Sequence, residues 1–80
     1  MHNHKQTVTN TIAHHFDIDH HEVKRESHFV EDFNATSADL TDIISHIETE
    51  LGIEIPLEEQ QAIETVGDLY DIIEDLAVEL

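Results

Sequence analysis

The sequence predicts an all-α four-helix bundle with three longer helices, one short helix and a long loop between the first two helices. Apolar residues recur three and four positions apart in two long stretches, the periodicity of a helix with one face in a core. Only two glycines and one proline interrupt 80 residues. Two Thr-x-x-Asp pairs, Thr36 with Asp39 and Thr65 with Asp68, stand where apolar runs begin, as helix-capping boxes do.

Val8, Ile12 and Phe16 are spaced by four, and Lys5 to Phe16 holds no Gly or Pro, which reads as a first helix of about three turns. His14 and His15 close it, where cationic character suits a helix C-terminus. Residues 1–7, with the His-rich opening "MHNH", are set apart as a disordered or loosely ordered N-terminus, and residues 8–80 as a single domain. From Asp17 to Thr36 the periodicity fades. A structureless loop that long is uncommon in a compact domain, so Ile18, Val23, Phe29, Val30 and Phe33 are expected to pin it to the core.

The second helix has the clearest pattern: Leu40, Ile43, Ile44, Ile47 and Leu51 form one apolar stripe, Thr36 is its N-cap and Gly52 its end. A short extended piece follows, then Pro56 opens or precedes a brief third helix near Leu57 to Ala62. The last helix carries Val66, Leu69, Tyr70, Ile73 and Leu76 on one side.

Nineteen acids stand against three bases, a net charge of −16, and from Glu26 to the C-terminus no Lys or Arg occurs. Such a field repels nucleic acid and anionic lipid and steers the chain toward basic protein surfaces. No apolar run reaches the roughly 18 residues of a membrane span, and the polar start is unlike a signal peptide. A cytoplasmic, monomeric protein is expected. Without cysteine there is neither a disulfide scaffold nor a thiol nucleophile.

Catalysis finds little support. An 80-residue bundle offers scant architecture for a Ser–His–acid triad with an oxyanion site. The His pairs at 14–15 and 20–21 lack the i, i+4 spacing of helical metal ligands and read as solvated surface groups, and no DxDxDG run supports calcium binding. No metal site is assigned. Ser37 remains, a serine in the first turn of the second helix, beside an acidic face that bears Asp39 and Asp42 with His46 beyond.

From about Val8 to Leu76 the chain resembles the acyl carrier proteins. The stretch "IETELGIEIPLEEQQAIETVGDLYDII", residues 47–73, carries the family's "GIEIP" and "TVGD" in register, and "FVEDFNATS" resembles its "F.EDLGADS". The resemblance implies an acyl-carrier-like bundle in which Ser37 accepts 4′-phosphopantetheine from coenzyme A. The chain would then carry acyl intermediates as thioesters on that arm, in fatty acid, polyketide or related lipid biosynthesis, and would itself be no enzyme. Where the family usually has "DSL", this chain has Thr36, Ser37 and Ala38. The implied partners are a phosphopantetheinyl transferase and acyl-processing enzymes with basic docking patches, met by Thr36, Ala38, Asp39, Asp42 and Glu48, with an acyl chain as cargo sheltered among Ile44, Ile47, Ile63 and Leu69. A carrier-like domain without the arm, acting as an acidic protein-interaction module, is the alternative reading.

Protonation of all eight histidines changes the net charge from −16 to −8 and relieves self-repulsion. The melting temperature is therefore expected to be higher near pH 6 than at pH 8; melts that rise across this interval would contradict the charge argument.

Overall fold

A computed structural model describes residues 4–78. Its helices are α1 (His4–Phe16), α2 (Phe29–Phe33), α3 (Ser37–Leu51), α4 (Leu57–Gln61) and α5 (Val66–Val78), with a 3-10 turn at His20–Glu22. Among the described residues no strand occurs, and the all-α bundle stands with one short helix more than the sequence pattern predicts. α1 begins at His4, inside the N-terminal segment set apart above; residues 1–3 lie outside the described residues.

The core is aliphatic at its centre. Val8 and Ile12 of α1, Ile43, Ile44 and Ile47 of α3, and Val66, Leu69 and Ile73 of α5 are buried together, so the three long helices bury one another's stripes. Aromatic rings gather at one end, where Phe16 stacks on Phe33 at 5.3 Å and Phe29 meets Phe33 edge-on at 6.2 Å. Tyr70 joins α5 to α1: its hydroxyl shares a hydrogen bond with Thr9 Oγ1, and Lys5 Nζ lies 5.9 Å from its ring centroid.

α1, α2 and α3 each end beside a left-handed residue that breaks the ladder. Gly52 at φ 66° closes α3, with its N–H donated to the Glu48 carbonyl. Asn34 at φ 54° closes α2, and Asp17 at φ 55° follows α1; these short polar side chains tolerate the left-handed region better than most. Beyond Gly52, Ile53 and Ile55 are buried while Glu54 between them is exposed, the alternation of an extended segment.

The long connection is held more firmly than its apolar residues alone foretell. Val23 and Phe29 are buried, and Ile18 and Phe33 are half-buried against the core, as expected. Val30 is a correction: its side chain is 56 % exposed. In α2 it follows Phe29 directly, and neighbours in a helix point about 100° apart, so only one of the two faces inward. Backbone pairing adds what the sequence hides. Phe29 N–H donates to the Glu64 carbonyl at 3.0 Å, Val66 N–H to Ser27 at 2.9 Å, and Gly67 N–H to Arg25 at 2.9 Å, fastening residues 25–29 to the start of α5. Buried Ser27 locks the bend, its Oγ accepting from Lys24 N–H at 3.0 Å.

At this seam Gly67 faces Arg25, whose guanidinium bonds Asp71 at 2.6 Å. A β-carbon on Gly67 would stand 2.8 Å from Arg25 Cγ and 3.0 Å from the Arg25 carbonyl oxygen. Because the second of these is backbone, Gly67→Ala is expected to cost about 1–3 kcal/mol in urea unfolding; an unchanged midpoint would mean that the 25–29 segment yields freely.

Candidate functional site

The site begins where α2 stops. After Asn34, Ala35 is buried and its N–H returns to the Phe29 carbonyl at 3.0 Å, which turns the chain into extended Thr36 at φ −96°, ψ 171°. Thr36 is the N-cap of α3 and Ser37 its first residue. The capping box expected from the sequence is present: Thr36 Oγ1 accepts from Asp39 N–H at 3.2 Å, while Asp39 Oδ2 accepts from Thr36 N–H at 2.9 Å and from the Thr36 hydroxyl at 3.1 Å.

Ser37 lies between the two members of this box and is exposed. Its carbonyl accepts from the Thr41 hydroxyl at 2.9 Å, and among the described residues its own hydroxyl has no hydrogen-bond partner. Ala38 beside it is also exposed. The first-turn N–H groups of a 15-residue helix favour negative charge at this end. An accessible hydroxyl there suits a bulky phosphoester.

A further residue enters that spacing along the chain does not reveal. His15, in the last turn of α1, places Nε2 3.0 Å from Asp39 Oδ1. With His15 as the larger cause and the Thr36 backbone N–H next, the Asp39 carboxyl is held below its usual range. The sign follows: a depressed carboxylate contributes stability above its unfolded-state pKa, lost as pH falls through the lower folded value.

The other acidic candidates separate. Asp42, one turn further along α3, is exposed and has no hydrogen-bond or ion-pair partner among the described residues. Glu48 lies near the far end of α3, half-buried, and its Oε2 accepts the Ile55 N–H at 2.7 Å. Thr36, Ser37, Ala38 and Asp39 thus share one turn, Asp42 adjoins them, and Glu48 stands about 16 Å along the helix from Ser37 at 1.5 Å per residue. Between α1 and α3 runs a polar groove of about 570 Å³ whose walls include His14, His15, Asp42, His46 and Glu50.

Ile44, Ile47, Ile63 and Leu69 are all buried in the aliphatic part of the core. Far from Ser37 in sequence, the donor atoms of Asp19, His20 and His21 lie within 4.8 Å of one another, all exposed. The Asp19 carboxylate is already engaged there as the cap of the 3-10 turn, accepting His21 N–H at 2.8 Å. No helix among the described residues is long and apolar enough to cross a membrane.

Comparison with known proteins bears on this turn. Residues 6–73 match the family described as "Phosphopantetheine attachment site". The chain is 39 % identical over 69 residues to the acyl carrier protein of Helicobacter hepaticus, which covers 86 % of this chain and 91 % of that protein. It is 39 % identical over 67 residues to the acyl carrier protein of Wolinella succinogenes, covering 84 % and 88 % respectively. A match across most of the chain, joined to an all-α bundle with an exposed serine opening its longest helix, makes this chain a member of the acyl carrier protein family, carriers rather than enzymes, whose prosthetic group is a covalently attached 4′-phosphopantetheine.

Proposed function

We propose that this protein carries acyl intermediates on an arm attached to Ser37, in fatty acid, polyketide or related lipid biosynthesis in the cytoplasm, as a monomer whose carrier domain spans residues 8–80. The observation that supports it best is the unpartnered, exposed Ser37 hydroxyl between two mutually capped residues at the start of α3. When bound, the group supplies a thiol at the end of a flexible tether, on which acyl groups ride as thioesters.

The chain's own residues do the rest. Thr36 and Asp39 hold the first turn of α3 so that the Ser37 oxygen faces solvent, within reach of a transferase. Attachment forms a bond from the Ser37 oxygen to the pantetheine-bearing phosphorus of coenzyme A and breaks the pyrophosphate P–O bond, so adenosine 3′,5′-bisphosphate leaves and the serine proton is released, and the N–H groups of the first turn favour the phosphate charge. Ile44, Ile47, Ile63 and Leu69 offer a mostly aliphatic part of the core in which an acyl chain can be sheltered from water. Acid-rich α3 favours fast, reversible docking on basic patches of the transferase and of acyl-processing enzymes, because long-range attraction accelerates encounter without a large apolar interface. Neither nucleic acid nor membrane is a partner in this reading.

Within that surface the three acids divide by their existing bonds. Asp39 and Glu48 are committed to backbone groups of the chain itself, whereas Asp42 is free to meet a partner's cation.

Intact-mass spectrometry of the purified chain, with coenzyme A and a broad-specificity phosphopantetheinyl transferase, is expected to show one added phosphopantetheine that Ser37→Ala abolishes. No addition with several transferases would defeat the attachment reading in favour of an armless interaction module. Asp42→Lys is expected to weaken binding to a basic partner enzyme severalfold at low ionic strength and little at high salt, without loss of helix content. Equal affinity at low salt would remove Asp42 from the docking surface.

A further inference from the structure

We propose that His15 is a positioning residue for attachment at Ser37: by holding the Asp39 carboxylate, it fixes the first turn of α3 and the backbone that presents the Ser37 hydroxyl. The inference rests on the reading of Ser37 given above and adds a residue from another helix to it.

The Asp39 carboxylate divides its two oxygens between two tasks. Oδ2 takes the N–H and hydroxyl of Thr36, immediately before Ser37, while Oδ1 meets His15 Nε2 at 3.0 Å across the gap between α1 and α3. Asp39 N–H in turn donates to Thr36 Oγ1. One side chain therefore closes a ring around Ser37 and ties that ring to a second helix. Without the tie, the box is a local feature of an exposed helix end, where fraying is ordinary.

His15 is itself well placed for this. Its ring meets Phe16 edge-on at 4.9 Å, and Phe16 stacks on Phe33, the last residue of α2. Side-chain exposures of 26 % for His15 and 33 % for Asp39 leave the pair partly shielded from water. Among the charged groups of α3 that line the same groove, Asp42 and Glu50 are acids, which offer Asp39 no donor, and His46 lies 3.6 Å from Glu50. His14, on α1, lines the groove as well. No Lys or Arg lines it, so His15 is the donor that reaches Asp39 from another element among the described residues. The ionised carboxylate is an acceptor only, which assigns the proton to Nε2.

The test compares His15→Ala with His15→Gln, whose amide can still donate from a similar position, on the full chain. Amide hydrogen exchange in the unmodified chain is read at Thr36 and Asp39, with Ile73 in the core as the control for an intact fold. His15→Ala is expected to speed exchange at Thr36 and Asp39 by about 3- to 10-fold, the size of one lost hydrogen bond, and to leave Ile73 unchanged, while His15→Gln restores most of the protection. Loading of Ser37 from coenzyme A by the transferase should follow the same order, with kcat/KM lowest for the Ala variant and recovered by Gln. Unchanged exchange in His15→Ala overturns the proposal, as does a Gln variant no better than Ala, or a loading rate indifferent to both. A wild-type chain that accepts no arm also overturns it, by removing the reaction His15 would serve. The exchange contrast between the two variants, read without any arm, then shows that the attachment reading failed while the clamp itself is real.

Discussion

The shortage of cationic side chains governs this fold. Nineteen acids share three Lys and Arg residues, and the only arginine is taken up by Asp71. A carboxylate that approaches the protein surface must then find its hydrogen bonds elsewhere, and in this chain it finds backbone N–H groups. Asp19 caps the 3-10 turn, Asp32 accepts from His28 N–H at 2.6 Å, Asp39 accepts from Thr36, Asp68 accepts from Glu64 and Thr65 at 2.9 and 3.1 Å, and Glu48 accepts from Ile55. Four of the five serve turns or helix starts, and Glu48, in the last turn of α3, serves the extended piece that follows; in each place the N–H would otherwise lack a partner. Such bonds hold the carboxyls of Asp19 and Asp68 below their ordinary range, and at Asp39 the His15 side chain lowers it first, with the Thr36 N–H next.

This habit explains which parts of the molecule could be read from its sequence. The boxes at Thr36 with Asp39 and Thr65 with Asp68 act over three residues, and the stripes of α3 and α5 repeat over several turns, so local pattern suffices for them. α2, five residues long, has too few turns to show a period, and its brevity concealed that Val30 faces outward. The seam between residues 25–29 and the start of α5 is made of backbone groups some forty positions apart, which no side-chain pattern encodes. Glu48 was named for its match to an acidic position of the family's recognition helix; its bond to Ile55 could not be read beside that, because it depends on the path of the chain after Gly52. Within the site, Ser37 drew notice by its place at the start of an acidic helix, but its role came only through the family motif, since a lone serine has no spacing of its own. His15, 24 residues from Asp39, was legible merely as a helix end.

The departures from the usual motif take on a physical sense in this setting. Threonine in place of the customary aspartate at position 36 leaves a neutral cap, and the carboxylate that complements the α3 dipole comes from Asp39 instead. Ala38 presents a small apolar side chain beside Ser37, and Val30 a larger exposed one on α2.

Tyr70 gives this arrangement a built-in reporter. The chain has no tryptophan and one tyrosine, and that ring is pinned between Thr9 and Lys5, where α5 meets α1. Its near-ultraviolet emission and dichroism therefore register a single event, the docking of the first helix on the last. Any guest or partner that prises those helices apart announces itself in the native light of the molecule, without a label.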